Sequence, residues 1–421
     1  MAAGQHARVM AFGVGAFTQG TLRVLRRSGA SVSSYLTRPY AQWAPSQEGP
    51  VFDFRQVPNP CELLKRERPD FVLVQSIDWA QQAWCKEFLE MGIPIFCPTG
   101  EALLLERDRN FARQLCQQHG IPFPQSHLAR TLGEAEEILT GDPRPYVIKN
   151  PLCSPGSPIH TIVCESIEDT RSWLPRLDYA EGVFLQEYMG RAEAGHIAFV
   201  SGGEIYSIVT NQEYKRAFNG NMGIVAGAPL GGLIELDRED RYGLARELLQ
   251  PLLPWFQKTN FHGPVQVTAI RDGRRWSVLE YNVRIGVTSG PMILQLLENP
   301  VEVIRSVCLN EKPNLRWKEH LRYGCSVTLA GFGYPYVQQT GPRLPVTLIS
   351  EPDTDILWNE VEQDADRKLF MTGHRIADVI AVAETLQDAI DRAYRNIAKI
   401  RCLGSYYRTD VGQTLWPPGH E

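Results

Sequence analysis

The chain has 421 residues, with 43 Lys and Arg against 48 Asp and Glu, a net charge of -5, 43% hydrophobic residues and 9 cysteines. That balance predicts a soluble globular protein of about two to four domains, and because bases and acids are intermixed along the chain it excludes a polyanion-binding face, hence nucleic acid as a partner. The cysteines form no C-x-x-C pair or zinc-spaced cluster, no run of about 18 apolar residues occurs, and the first residues lack the apolar core of a leader, so the expectation is the cytoplasm and no membrane.

In chain order, Arg8–Phe12 reads as an apolar strand running into Gly13-Val14-Gly15 and then a helical pattern through Thr21, Val24 and Leu25. A buried strand at Phe71–Val74, a helix from about Trp79 to Glu90 and a strand at Pro94–Phe96 follow. This alternation predicts a parallel sheet covered by helices. The turn GVGAFTQG is not G-x-G-x-x-G, and no strand ending in an acid follows about 20 residues on, so a nicotinamide dinucleotide is not expected.

Ala102 to His119 is helical in pattern and stops at Gly120-Ile121-Pro122-Phe123-Pro124, which reads as a domain junction. A compact stretch comes next: helix 132–139, strands 145–149 and 160–164, helix 167–174, strand 183–187. Between the first two strands lies a run of turn formers, Asn150 to Pro158. Strands at 196–201, 204–210, 264–271 and 275–283 predict an antiparallel sheet crossed by a helix near 239–257. From about Tyr323 a last segment carries strands at 324–330 and 376–383 and an amphipathic helix from Leu386 to Ile400. The lone histidines, His160, His196, His262 and His374, read as packed or solvent-facing.

The most informative segment is Val278 to Arg284. Strand alternation would turn Leu279, Tyr281 and Val283 to a core and align Glu280, Asn282 and Arg284 on the other face. Along that face a carboxylate, an amide and a guanidinium lie within roughly 13 Å, a set suited to phosphates held through magnesium. Alone, E-x-N-x-R also fits a half-exposed strand at a sheet edge.

Several strings together carry a family resemblance. Phe96-Cys97-Pro98-Thr99-Gly100 with Leu105-Glu106 and Phe111 resembles F-G-P-T and L-E-x-S-K-x-F, and Tyr146-Val147-Ile148-Lys149 resembles V-V-I-K. Leu185-Gln186-Glu187-Tyr188 with Glu193-Ala194 resembles I-E-E-F with G-E-E-A, and Asn211 to Arg216 resembles T-x-Q-D-H-K-R. Leu279 to Gly286 resembles L-E-F-N-x-R-F-G, Gly331 to Pro335 the G-G-Y-P turn, Arg392-Ala393-Tyr394 the R-A-Y string, and Tyr407 to Gly412 the Y-R-x-D-I-G string. Their order and spacing resemble those of the phosphoribosylamine-glycine ligases, the glycinamide ribonucleotide synthetases of purine synthesis, in the ATP-grasp superfamily.

That resemblance implies a multidomain α/β and α+β fold: an N-terminal parallel α/β domain over 1–100, an ATP-grasp domain over 101–319 with its lid over about 121–188 and a central antiparallel sheet, and a C-terminal α+β domain over 320–421. It implies an ATP-dependent ligase in which a carboxylate attacks the γ-phosphate and an amine displaces phosphate from the acyl phosphate, as a monomer or homodimer in the cytoplasm. Lys149 and Arg109 would meet nucleotide phosphates, Gln186 and Glu187 the adenine, and Glu193 the ribose. Glu280 and Asn282 would hold magnesium or manganese, and Arg284, with Lys215 and Arg216, would act on the transferring group.

The departures gather elsewhere. G-L-A-A-G-K-G-V becomes Leu152 to Ile159, without the lysine and with two prolines. G-x-G-G-R-E-H-A becomes Gly13 to Gly20 without arginine, glutamate or histidine, although the family uses that loop in the phosphoribosylamine pocket. F-G-D-P-E becomes Ile285 to Ser289 without an acid, and G-P-E-A-P-L becomes Gln75 to Ala80. An ATP-grasp ligase joining another acid and amine, or a nucleotide-binding protein without ligase activity, therefore stands beside the purine reading.

Overall fold

The computed structural model describes residues 6–153, 161–273, 275–336 and 342–413. His160 and the altered loop from Ser154 onward lie outside them, and among the described residues the strand expected at 160–164 is only Ile162–Val163. Among the described residues no helix is long and apolar enough to cross a membrane.

The central N-terminal strands, Val9 to Phe12 and Phe71–Val74, are continuous apolar runs, as strands covered on both faces must be. They form a five-stranded parallel sheet in the order Val51–Asp53, Ser31–Leu36, Arg8–Phe12, Phe71–Val74, Ile95–Phe96. The order reverses between Arg8–Phe12 and Phe71–Val74, so a crevice opens beyond Phe12 and Val74. The helix expected over Trp79 to Glu90 is two pieces, a 3-10 turn at Ile77–Gln81 and a helix at Cys85–Glu90. In one helix Trp79 and Phe88, nine positions apart, would face roughly opposite sides. The break lets both enter one core, edge to face at 5.7 Å.

The 102–119 pattern is likewise divided, into Gly100–Leu103, Leu104–Arg107 and Arg109–Gln118. Asp108 is extended at the break, and its carboxylate accepts from the Asn110 and Phe111 amides as an N-cap. The helix near 239–257 is split by Pro251 and Pro254 into Leu244–Leu248, Gln250–Leu252 and Leu253–Lys258. It begins late because Asp240 caps it, accepting from the Ala245 and Arg246 amides. The last helix is Leu386–Ile397, and Ile400 belongs to a short strand.

A four-stranded antiparallel sheet, Ser126–Ala129, Val183–Glu187, Tyr146–Lys149, Ile162–Val163, closes over its own small core of Ala135, Tyr146, Ile148 and Leu185. The largest sheet has eight antiparallel strands in the order Arg275–Asn282, Gly263–Asp272, Glu193–Ser201, Glu204–Glu213, Gly231–Leu236, Tyr323–Ala330, Arg375–Ala383, Asp355–Trp358. It is hydrogen-bonded without interruption through the Gly231–Leu236 and Tyr323–Ala330 pair.

The Arg275–Asn282 strand departs from simple alternation. Its register with Gly263–Asp272 pairs Thr268 with Glu280 and Ala269 with Val278, leaving Leu279 as the extra residue of a bulge. Val278, Tyr281 and Val283 therefore face the core, whereas Leu279, expected there, lines a cavity instead.

Candidate functional site

The three sheets surround one cavity of about 980 Å³, and every residue expected at the nucleotide, metal and catalytic positions lines it. Its centre is the bulged strand. The bulge exposes the Leu279 carbonyl, which accepts from Lys149 Nζ at 3.2 Å and from Gln186 Nε2 at 3.3 Å, while Lys149 Nζ also donates to Gln186 Oε1 at 2.7 Å. Lys149 and Gln186 stand on adjacent strands of the four-stranded sheet, so that sheet is pinned to the large one at this point. Burial pushes the Lys149 ammonium down to about 8, with Glu280 pulling the other way. Its close partners are neutral oxygens, which leaves its charge available to an anion.

One residue further on, Glu280 accepts from Lys215 Nζ at 3.0 Å and lies 3.7 Å from Arg109 Nη1. Lys215 also reaches Glu193 at 3.2 Å and Glu213 at 3.7 Å. Lys215 holds the Glu280 carboxyl well below the usual carboxylate range, against its burial. Burial alone would depress Lys215, but Glu193, Glu280 and Glu213 keep its ammonium well above the ordinary lysine value. Asn282 Oδ1 accepts from Arg284 Nη2 at 3.3 Å. Glu280, Glu213 and Asn282 thus supply hard oxygen donors on one wall, a donor chemistry that fits magnesium.

Glu106 was quoted above only as part of a string, yet it anchors this wall. It is buried, accepts from the Val283 amide at 2.6 Å, and sits 3.3 Å from Arg284 Nε. Burial raises its carboxyl and Arg284 opposes that rise. Glu213, held by Gln266 Nε2 at 3.2 Å, was also absent from the expected set. Its position two before Lys215 was the available signal.

Two expected residues turn elsewhere. The Glu187 carboxylate pairs with Arg144 at 2.6 Å, and the Arg216 guanidinium with Glu165 at 2.6 Å. Arg109 donates through Nε to the Asn150 carbonyl at 2.9 Å, at the start of the altered loop. His196 is buried beside Thr210 and is not a cavity residue.

This geometry can be set beside known proteins. Residues 107–288 match the family model of the phosphoribosylglycinamide synthetase ATP-grasp (A) domain, and residues 324–414 match that of the same family's C domain. The chain belongs to the phosphoribosylglycinamide synthetase family. Among individual relatives, it is 27% identical over 337 residues to a phosphoribosylamine-glycine ligase of Streptomyces coelicolor, covering 76% of this chain and 78% of that one. It is 28% identical over 364 residues to the Listeria innocua protein of the same name, covering 83% and 86%. The crystal structure of the Thermotoga maritima phosphoribosylamine-glycine ligase superposes with a TM-score of 0.77 at 22% identity, over 96% of this chain and all of that one. An N5-carboxyaminoimidazole ribonucleotide synthetase from Thermus thermophilus shares the fold with a TM-score of 0.62. As a phosphoribosylglycinamide synthetase family member with the ATP-grasp fold, the protein is an ATP-dependent ligase forming a C–N bond.

Proposed function

We propose that this protein activates a carboxylate, with glycine of the relatives' name as the first acid to test, by phosphoryl transfer from ATP and joins it to an amine. The observation that carries the reading is the bulge at Leu279, which places the Lys149 ammonium beside the Glu280, Asn282 and Arg284 row. Lys149 and Arg109 face the nucleotide phosphates; Glu280, Glu213 and Asn282 would hold magnesium or manganese, which when bound neutralises phosphate charge. Gln186 fixes the lysine at the lid edge, Glu193 faces the ribose, and Arg284, backed by Glu106, steadies the transferring group. Lys215 keeps the acidic wall charge-balanced. The Glu187 and Arg216 side chains hold the lid and the neighbouring hairpin in place.

In the reaction a carboxylate oxygen bonds to the γ-phosphorus as the bridging oxygen leaves with ADP. The amine nitrogen then bonds to the acyl carbon, phosphate departs with the carboxylate's oxygen, and the surplus amine proton goes to solvent. The chain's work is alignment and exclusion of water. The nine free cysteines suit a reducing compartment such as the cytoplasm.

Incubation with Mg-ATP, an amine and glycine labelled with ¹⁸O in its carboxylate tests this: label in the released phosphate is expected. Phosphate release that is independent of the acid, or unlabelled, would sink the reading.

A further inference from the structure

The end of the cavity away from Lys149 lies at the reversal point of the parallel sheet, where Phe12 and Val74 end their strands. Such a crevice is where open parallel sheets take ligands, and phosphates are gripped there by a glycine turn and the first amides of the following helix. Here the Gly13, Val14 and Ala16 amides are already bonded, Gly13 to the Tyr35 carbonyl at 3.0 Å. The Val14 N–H donates to Gln75 Oε1 at 2.7 Å, and the Ala16 N–H to Asn359 Oδ1 at 2.9 Å. Asn359 is fixed in turn by its own amide donating to Asp378 Oδ2 at 2.8 Å. A Cβ on Gly15 would lie 2.6 Å from Asn359 Oδ1 and 2.9 Å from the Tyr40 ring, so side chains are packed onto the turn where a phosphate would sit.

The buried cation at this end is paired with a carboxylate as well, only its Nε lacking a partner among the described residues. Arg375 spends Nη2 on Asp378 at 2.7 Å and Thr328 at 2.9 Å, and Nη1 on the Ala228 carbonyl at 3.1 Å. Arg38 lies exposed over the Tyr40 ring at 5.7 Å. The wall between is aromatic: Phe12, Tyr35, Phe54, Trp79 and Trp84 line it, with Phe12 5.0 Å from Tyr35 and 6.0 Å from Trp84. Phe54 and Trp84 keep part of their surface uncovered.

We infer that the amine substrate is an unphosphorylated molecule with an aromatic body, seated on this wall with its nitrogen toward the Glu280 end. The inference rests on the ligase reading for the word amine; the character of the pocket stands on its own geometry. A phosphorylated sugar would have to displace the Gln75 and Asn359 caps, whereas a flat apolar group finds edge and face contacts ready made.

The test uses the full chain, calorimetry and ligand-observed NMR, with phenethylamine, benzylamine and ribose 5-phosphate as probes, each with and without a magnesium complex of a non-hydrolysable ATP analogue. Phenethylamine is expected to bind at least tenfold more tightly than ribose 5-phosphate. Phe54→Ala, at a half-buried position, should weaken it about tenfold and leave the nucleotide analogue's affinity unchanged. Equal or tighter binding of ribose 5-phosphate, no binding of either amine, or an unaltered amine affinity in Phe54→Ala overturns the inference. Bound phenethylamine with no nucleotide binding removes the ligase reading and leaves the occupant of this end standing.

Discussion

The Lys215 ammonium sits between three carboxylates and lies 3.0 Å from Glu280, the first residue after the bulge. It is the group that lets so much negative charge collect on one wall. Lys215→Met should lower stability by about 2 kcal/mol near pH 8, because partly buried carboxylates are left repelling one another. The sign follows from Glu280: its carboxyl is depressed in the folded state, so the ion pair's contribution is fully present above the ordinary carboxylate range, begins to fall as pH drops through that range and is lost at the lower folded value. The gap between wild type and variant, followed by thermal melting, should therefore narrow toward pH 4. Millimolar magnesium should also narrow it.

Glu280→Gln keeps the shape of the wall and removes a charge that both Lys215 and Arg109 meet. Calorimetry with a magnesium complex of an ATP analogue should show affinity at least about tenfold lower. An unchanged affinity would place the metal elsewhere.

Lys149 supplies a pH dependence. Its folded value is about 8, so above that pH the free protein presents a neutral amine at the proposed phosphate position. Nucleotide binding near pH 8.5 should take up a proton as the phosphates restore the ammonium, and affinity should fall as pH rises from 8 to 10. Calorimetry in two buffers of different ionisation enthalpy measures the uptake. Lys149→Met should abolish both the uptake and this part of the pH slope.

Arg284→Met leaves the buried Glu106 carboxylate with the Val283 amide but without its guanidinium. A loss of about 3 kcal/mol is expected at pH 8. Burial already raises Glu106, and without Arg284 it rises further, so the loss should shrink as pH falls and the carboxyl takes up its proton. Denaturant titrations at pH 8 and pH 5.5 compare the two.

Gly15 has φ +58° and no room for a methyl group. Gly15→Ala should cost about 2 kcal/mol from backbone strain and the clash with Asn359. A neutral outcome in denaturant unfolding would mean that the cap on this turn is loose.

Local periodicity was enough to find the strands Arg8–Phe12, Phe71–Val74 and Val183–Glu187, and the E-x-N-x-R row stood out because its residue types share one chemistry. The bulge at Leu279 was hidden. Alternation assumes an unbroken ladder, and a slip in pairing depends on the neighbouring strand. The helix breaks at Asp108 and after Gln81 were hidden for a similar reason, since each serves a distant contact: the wall carrying Glu106 and Arg109, and the core shared by Trp79 and Phe88. Gly231–Leu236 was not among the expected strands; Gly231 is small because Val411 packs against it, 180 residues along the chain, a contact no local window contains. The Glu106–Arg284 pair joins segments that no local window spans.

The uninterrupted eight-stranded sheet has an evolutionary corollary. One edge strand carries Glu280, and Glu360 lines the cavity just beyond the other edge strand, so the spacing between these two carboxylates is set by a continuous hydrogen-bonded chassis. The aromatic wall belongs instead to the separate parallel sheet, with Phe12 and Tyr35 on its strands and Phe54, Trp79 and Trp84 on the segments that follow strands. Phe54 and Trp84, half-buried there, can be exchanged without disturbing the strand that carries Glu280, which on the proposed scheme lets a new acceptor be recruited while the nucleotide end stays as it is.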